Sequence, residues 1–154
     1  MFIRYYVELP MAFAETEKAL LRSPDAILGD LARRAYARGE SLLTEVGFDV
    51  GGRRLAKRVA VELHEPVRFD SKTTLPMTWH ATGPDGLFPS LEADLEIAPL
   101  GRSSTQLAIS ARYPPPLGAL GRALDRGVLH RVAEAAVKDF LDHVGRALID
   151  SAAA

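Results

Sequence analysis

The strongest constraint on this chain is an apolar stripe near its C-terminus. Beyond Pro114-Pro115-Pro116, Leu117, Leu120, Leu124, Val128, Val132, Ala136, Phe140, Val144 and Leu148 recur mainly at every fourth position, and Leu129, Val137 and Leu141 widen the stripe. That spacing predicts an amphipathic helix from 117 to about 149, with a break near Gly127. Ser151 and the terminal alanines are expected to fray. Burying about ten such side chains at roughly 1.5–3 kcal/mol each gives an upper bound of about 15–30 kcal/mol. A helix of this kind is a core element, and the rest of the chain must offer it a long apolar surface.

The preceding residues supply that surface as alternating strands. In 2–9, Ile3, Tyr5, Val7 and Leu9 alternate with Phe2, Arg4, Tyr6 and Glu8, and Pro10 closes the run; the odd positions are expected to face inward. Leu91, Ala93, Leu95 and Ile97 against Glu92, Asp94 and Glu96 is the cleanest alternation in the chain. It implies one dry and one wet face, hence an antiparallel sheet. Leu75, Met77, Trp79 and Ala81 alternate with Thr74, Thr78, His80 and Thr82, with Pro76 suggesting an edge or a bulge. Leu107, Ile109, Ala111 and Tyr113 form one face of a last strand over 104–113. Further strands are read at 40–50, 54–64 and 67–72, the first two joined by a Gly51-Gly52 hairpin. Between the first strand and these, helical spacing over 11–38 is interrupted by Ser23-Pro24-Asp25, giving two short helices, with Gly39 as the stop of the second.

Composition narrows the function classes. The chain has 154 residues, 47% of them hydrophobic and 25% charged, which is the balance of an ordinary globular protein and leads us to expect a single domain over 1–154. Formal net charge is −1, so no global field favours nucleic acid or an anionic membrane. No cysteine is present, which excludes disulfides, thiolate metal sites and a cysteine nucleophile, and fits a cytoplasmic setting. Arg4 and Glu8 interrupt the N-terminal apolar run, so it does not read as a signal peptide. No stretch approaches the roughly 18 uninterrupted apolar residues of a membrane span, so no stable membrane insertion is expected.

Strand, two short helices, several antiparallel strands and a long terminal helix is an order with a known precedent. Val7-Glu-Leu-Pro10, then Leu75-Pro-Met-Thr-Trp79, Leu87-Phe-Pro89 and Leu91 to Leu100, then Tyr113-Pro-Pro-Pro-Leu-Gly118 and the helix ending in Phe140-Leu141, together resemble the helix-grip fold of the START-like (SRPBCC) superfamily, which includes polyketide cyclases and pollen-allergen-like proteins. The resemblance implies an α+β fold with a curved antiparallel sheet wrapped around the last helix. It also implies an internal cavity for a lipid, sterol, polyketide or other small hydrophobic molecule. Members differ in chemistry and share no motif that carries catalytic residues onto this chain, so fold alone does not give a reaction.

The residues independently allow a cavity. Ala81, Ala93, Ala111, Ala136 and Met77 are small or adaptable inward candidates; the competing reading is that the helix fills the space they leave. Met77, Trp79, Tyr113, Val132, Ala136 and Phe140 are the candidate ligand-binding residues. Trp79, the only tryptophan, needs a partner for its indole N–H if buried. Tyr113 and His80 are candidate orienting groups, although parity points His80 outward unless a bulge near Pro76 turns it.

Other chemistry finds little support. His64, His80, His130 and His143 form no ligand pair, so no metal and no cofactor are expected. Glu92, Asp94 and Glu96 read as a solvated face, Ser103-Ser104-Thr105 lacks a nucleophile elbow, and Gly51-Gly52-Arg53-Arg54 lacks the lysine-serine pair of a P-loop. The basic residues Arg33, Arg34, Arg38, Arg53, Arg54, Lys57 and Arg58 lack exposed aromatics around them, which argues against nucleic acid. Three readings remain: a binding protein for a small apolar molecule, a cyclase or dehydratase on the same scaffold, and a ligand-free interaction module that forms a homodimer, with Leu87-Phe88-Pro89 as its patch or as a cavity gate.

Overall fold

The computed structural model describes residues 2–45, 59–81, 91–114 and 126–154. Six strands, β1 (Phe2–Leu9), β2 (Val59–Leu63), β3 (Val67–Arg68), β4 (Thr73–Ala81), β5 (Leu91–Pro99) and β6 (Thr105–Arg112), form one antiparallel sheet in the order β1-β6-β5-β4-β2, with β3 also beside β4. Three helices complete the described chain: α1 (Phe13–Arg22), α2 (Pro24–Glu45) and α3 (Arg126–Ala153). This is the expected α+β arrangement. The inward rows are the ones the alternation selects: Ile3 and Leu9, Leu75, Met77 and Trp79, Ala93, Leu95 and Ile97, and Leu107, Ile109 and Ala111 are all buried. Phe140, Leu141, Val144 and Leu148 of α3 cover them and are themselves fully buried.

α3 lies close against β1 at Gly145, where a Cβ would lie 3.1 Å from Leu9 Cδ2 and 3.7 Å from Val7 Cγ2. A side chain larger than a methyl group there would prop the helix off β1, so a small residue at this position lets α3 sit as deep as it does. The same end of the sheet, where Leu9 pairs with Thr105 and Ile97 with Thr73, is also tied by polar contacts. Thr105 Oγ1 donates to the Met11 carbonyl at 2.7 Å, and the Thr16 hydroxyl lies 3.0 Å from the Ala12 carbonyl and 3.4 Å from Thr105 Oγ1. Glu17 Oε1 accepts from Arg68 Nε at 2.9 Å and from Thr73 Oγ1 at 2.8 Å, clamping α1 to β3 and β4. The Arg68 hydrogen bond, followed by that from Thr73, holds the Glu17 carboxyl below its ordinary pKa, against the opposing effect of burial.

Several expectations are corrected. The second helix does not stop at Gly39 but continues to Glu45, so the first half of the strand expected at 40–50 is helical. Glu40, Leu42, Leu43 and Glu45 are good helix formers, and one interior glycine costs only about 1 kcal/mol relative to alanine. Residues 46–50, the Gly51-Gly52 hairpin, 54–58, the Leu87-Phe88-Pro89 segment and 117–125 of the expected terminal helix lie outside the described residues. α3 is helical through Gly127 and through Ser151 to Ala153, without the expected break or fraying. The expected strand at 67–72 shrinks to Val67–Arg68.

Pro76 marks neither an edge nor a bulge in its own strand. β4 is internal, and its register with β5 runs unbroken from Thr73↔Ile97 to Trp79↔Leu91. The irregularity is in the partner instead. β2 pairs as Leu63↔Met77 whereas β3 pairs as Val67↔Thr74, a one-residue slip between them. The Pro76 carbonyl accepts from His64 N at 2.9 Å, so the missing N–H faces the gap where β2 gives way to β3.

Candidate functional site

Successive rows of side chains cross the inner face of the sheet, and they are not equally bulky. Register places Leu75, Leu95 and Ile109 side by side, and the next row is Met77, Ala93, Ala111 and Ile3. Two alanines therefore face α3 at the middle of the sheet, where the preceding row carries branched side chains. Beyond them Trp79 pairs with Leu91, and Tyr113 follows Arg112, which pairs with Glu92, so Tyr113 lies level with Leu91 and Trp79. The alanine pair is thus flanked on one side by an aromatic row.

Trp79 meets Phe140 of α3 edge to face, with ring centroids 4.8 Å apart and planes at 72°. Its buried indole nitrogen donates to Met77 Sδ at 3.1 Å. Sulfur is a weak acceptor, so this N–H is satisfied more poorly than an oxygen partner would satisfy it. Tyr113 is also buried. Its hydroxyl lies 3.4 Å from His130 Nδ1 on the first turns of α3, and burial raises the pKa of the phenol. With the imidazole neutral and protonated at Nε2, the Tyr113 O–H donates to Nδ1. An apolar wall with one hydroxyl–imidazole pair on it can orient a ligand that is mostly carbon and carries one polar group.

The structure brings four of the six candidate residues together. Met77, Trp79, Tyr113 and Phe140 belong to one contiguous core cluster, whereas Val132 is buried outside it and Ala136 is only half-buried. The reason is helical geometry. A step of four residues advances roughly 400°, so an i+4 row drifts by roughly 40° per step. Counting back from Phe140, Ala136 and Val132 fall progressively off the face that Ala133, Val137, Phe140 and Val144 share. His80 stays outside the site: the unbroken β4 register keeps it on the outer face, with Nε2 3.7 Å from Glu62 Oε2. His130 was not singled out by sequence, since no local motif links it to Tyr113; their meeting depends on how the chain returns from β6 to α3.

The outer face holds a separate cleft of about 250 Å³, lined by His64, Thr78, Glu92, Asp94, Ser110 and Arg112. His64 Nε2 and Thr78 Oγ1 are 3.0 Å apart there. Glu92 and Asp94 are solvated as expected, but Glu96 is not: its side chain is only 15% exposed, 3.1 Å from Lys72 Nζ and 3.8 Å from Arg4. Among the described residues no group of three or more histidines and carboxylates is placed to hold a metal ion, and no helix is long and apolar enough to cross a membrane.

No family model and no curated protein sequence matches this chain. Solved structures do. A conserved protein from Geobacillus kaustophilus aligns over 96% of this chain and 95% of its own, with a TM-score of 0.50 and 15% identity. The ZhuI aromatase/cyclase from Streptomyces sp. R1128 aligns over 99% of this chain and 93% of its own, with a TM-score of 0.51 and 10% identity. Identities this low speak for the shared fold and leave the chemistry of each protein its own.

Proposed function

The chain has the helix-grip fold of the START-like superfamily, and from that premise we propose that it binds a small hydrophobic molecule between the sheet and α3. The observation that carries this reading is the Ala93–Ala111 pair at the middle of the concave face, bordered by Trp79, Phe140 and the Tyr113–His130 pair. Small side chains opposite a helix make room, the apolar wall supplies the driving force, and the Tyr113 hydroxyl offers the ligand one hydrogen bond. Met77, Val132 and Ala136 are assigned to the same lining, the last two on the flank of α3 that turns away from the core cluster. The ligand class follows from this lining: largely carbon, with one polar group, as in a lipid, sterol or polyketide-like molecule.

Native mass spectrometry of the freshly purified protein, with extraction of whatever is bound, tests the reading. Titration of the empty protein with apolar candidates, followed by the emission of Trp79, supplies the second arm. A retained apolar molecule, or saturable change in Trp79 emission that Ala111→Leu abolishes by filling the space, supports it. An empty protein whose emission no apolar candidate changes sinks it.

A second reading, a cyclase or dehydratase, has one observation in its favour. Tyr113 and His130 form a hydroxyl–imidazole pair of the kind that moves protons in general acid–base catalysis. Turnover of a bound ligand that His130→Ala removes while binding persists would select it over binding alone.

A further inference from the structure

β1 is an outer strand of the sheet, and among the described residues no strand pairs with its free side. Natural edge strands are usually blunted by proline, lysine, a bulge or shortness. β1 has eight residues with no proline, glycine or lysine, and its register with β6 is unbroken from Phe2↔Arg112 to Leu9↔Thr105. Its outer row is Phe2, Arg4, Tyr6 and Glu8, of which Phe2 is 52% and Tyr6 65% exposed. Arg4 is anchored on this face by Ser110 Oγ at 2.9 Å, while Glu8 has no hydrogen-bond or ion-pair partner among the described residues.

We propose that β1 is a homodimerisation edge, at which a second copy of this chain adds its own β1 antiparallel to form one continuous sheet. The charges select the register. Pairing centred on Tyr6 sets Arg4 opposite Glu8 of the second copy, twice over by symmetry, and Tyr6 opposite its own counterpart. Centring on Arg4 or on Glu8 would put like charges face to face, and centring on Tyr5 or Val7 leaves both charges without an opposite number. On the inner side the same register places Tyr5 opposite Val7 and Ile3 opposite Leu9, apolar against apolar. The Tyr5 and Val7 side chains are only half-buried within one copy, so pairing gives them cover. The two-fold axis stands normal to the sheet, an isologous arrangement that leaves both concave faces on the same side. This inference rests on β1 alone and is independent of what the concave face binds.

Sedimentation velocity on wild type and charge variants tests it. Wild type should show a reversible monomer–dimer equilibrium. Glu8→Arg and Arg4→Glu, each confirmed as folded by circular dichroism, should each weaken self-association about tenfold or more by replacing two attractive pairs with two repulsive ones. Mixing the two variants should restore association to within about threefold of wild type, since the heterodimer again pairs opposite charges. A wild type monomeric up to about 1 mM, a dimer indifferent to Glu8→Arg, or a mixture without rescue would each overturn the proposal. If Arg4→Glu does not fold, amide exchange in wild type decides: slowing with concentration confined to 2–9 supports the edge, and concentration-independent exchange there refutes it.

Discussion

Replacing Phe140 by alanine tests the architecture and the site together. Phe140 is fully buried, and its ring lies edge to face against Trp79 at 4.8 Å. Truncation of such a side chain costs about 3–5 kcal/mol, of which the ring pair accounts for about 0.5–1.5 kcal/mol. For a chain of this length each 1 kcal/mol moves the melting temperature by about 2–4 °C, so a fall of about 6–20 °C is expected. Urea unfolding followed by Trp79 emission gives the free energy directly, and the same emission should shift to the red as the indole loses its neighbour. The binding proposal adds a second number. A ligand present at 100 times its dissociation constant stabilises the folded state by about 2.7 kcal/mol, so the apolar molecule identified by extraction should recover a large part of the loss. A cost below about 1.5 kcal/mol with an unchanged urea slope would refute the reasoning, because it would mean that α3 does not press Phe140 into the sheet.

Three further outcomes are expected. Gly145→Leu should destabilise by about 1–3 kcal/mol by lifting α3 off Leu9 and Val7, whereas Gly145→Ala should change stability by less than about 1 kcal/mol, its helix propensity offsetting the 3.1 Å contact; calorimetry reads both. The lowered pKa of Glu17 means that its stabilisation is present above the unfolded value near 4.5 and lost as pH falls through the folded value. The stability gap between wild type and Glu17→Gln should therefore close on acidification below 4.5, and a gap that persists at low pH would assign the loss to packing. Tyr113 has a raised pKa, so its contribution is present below 10 and fades as pH climbs above it; Tyr113→Phe should flatten the alkaline limb of a pH–stability curve.

Much of this fold was legible because alternation and burial have one cause. Leu91 to Ile97 reads as a half-wet strand, and Leu95 and Ile97 are fully buried while Glu92 and Asp94 are exposed. The strand expected at 40–50 came from the same rule, applied to Leu42, Thr44, Val46, Phe48 and Val50; over 40–45 the helical preference of Glu40, Leu42, Leu43 and Glu45 prevailed instead. Pro76 misled because a missing N–H constrains the partner strand as much as its own, and the slip between β2 and β3 could not be read from β4 alone. At the site, Met77, Trp79 and Tyr113 followed from strand parity. Val132 and Ala136 followed from a straight i+4 row, which a real helix carries around its axis. His130 was invisible because its significance comes from a partner 17 residues away across a change of element.

The seating of α3 on β1 at Gly145 also bears on how the chain is made. A ribosome releases β1 more than a hundred residues before it releases the helix that covers it, and β4 to β6 emerge in between. Until α3 is free of the exit tunnel, the nascent sheet has an uncovered apolar face and cannot complete its core from local contacts. Folding of this domain is consequently gated by the emergence of α3 rather than spread along its synthesis, with long-range closure as the slow event. Chains stalled or truncated before α3 should be the species that holdase chaperones capture, and emergence of α3 should be what frees them.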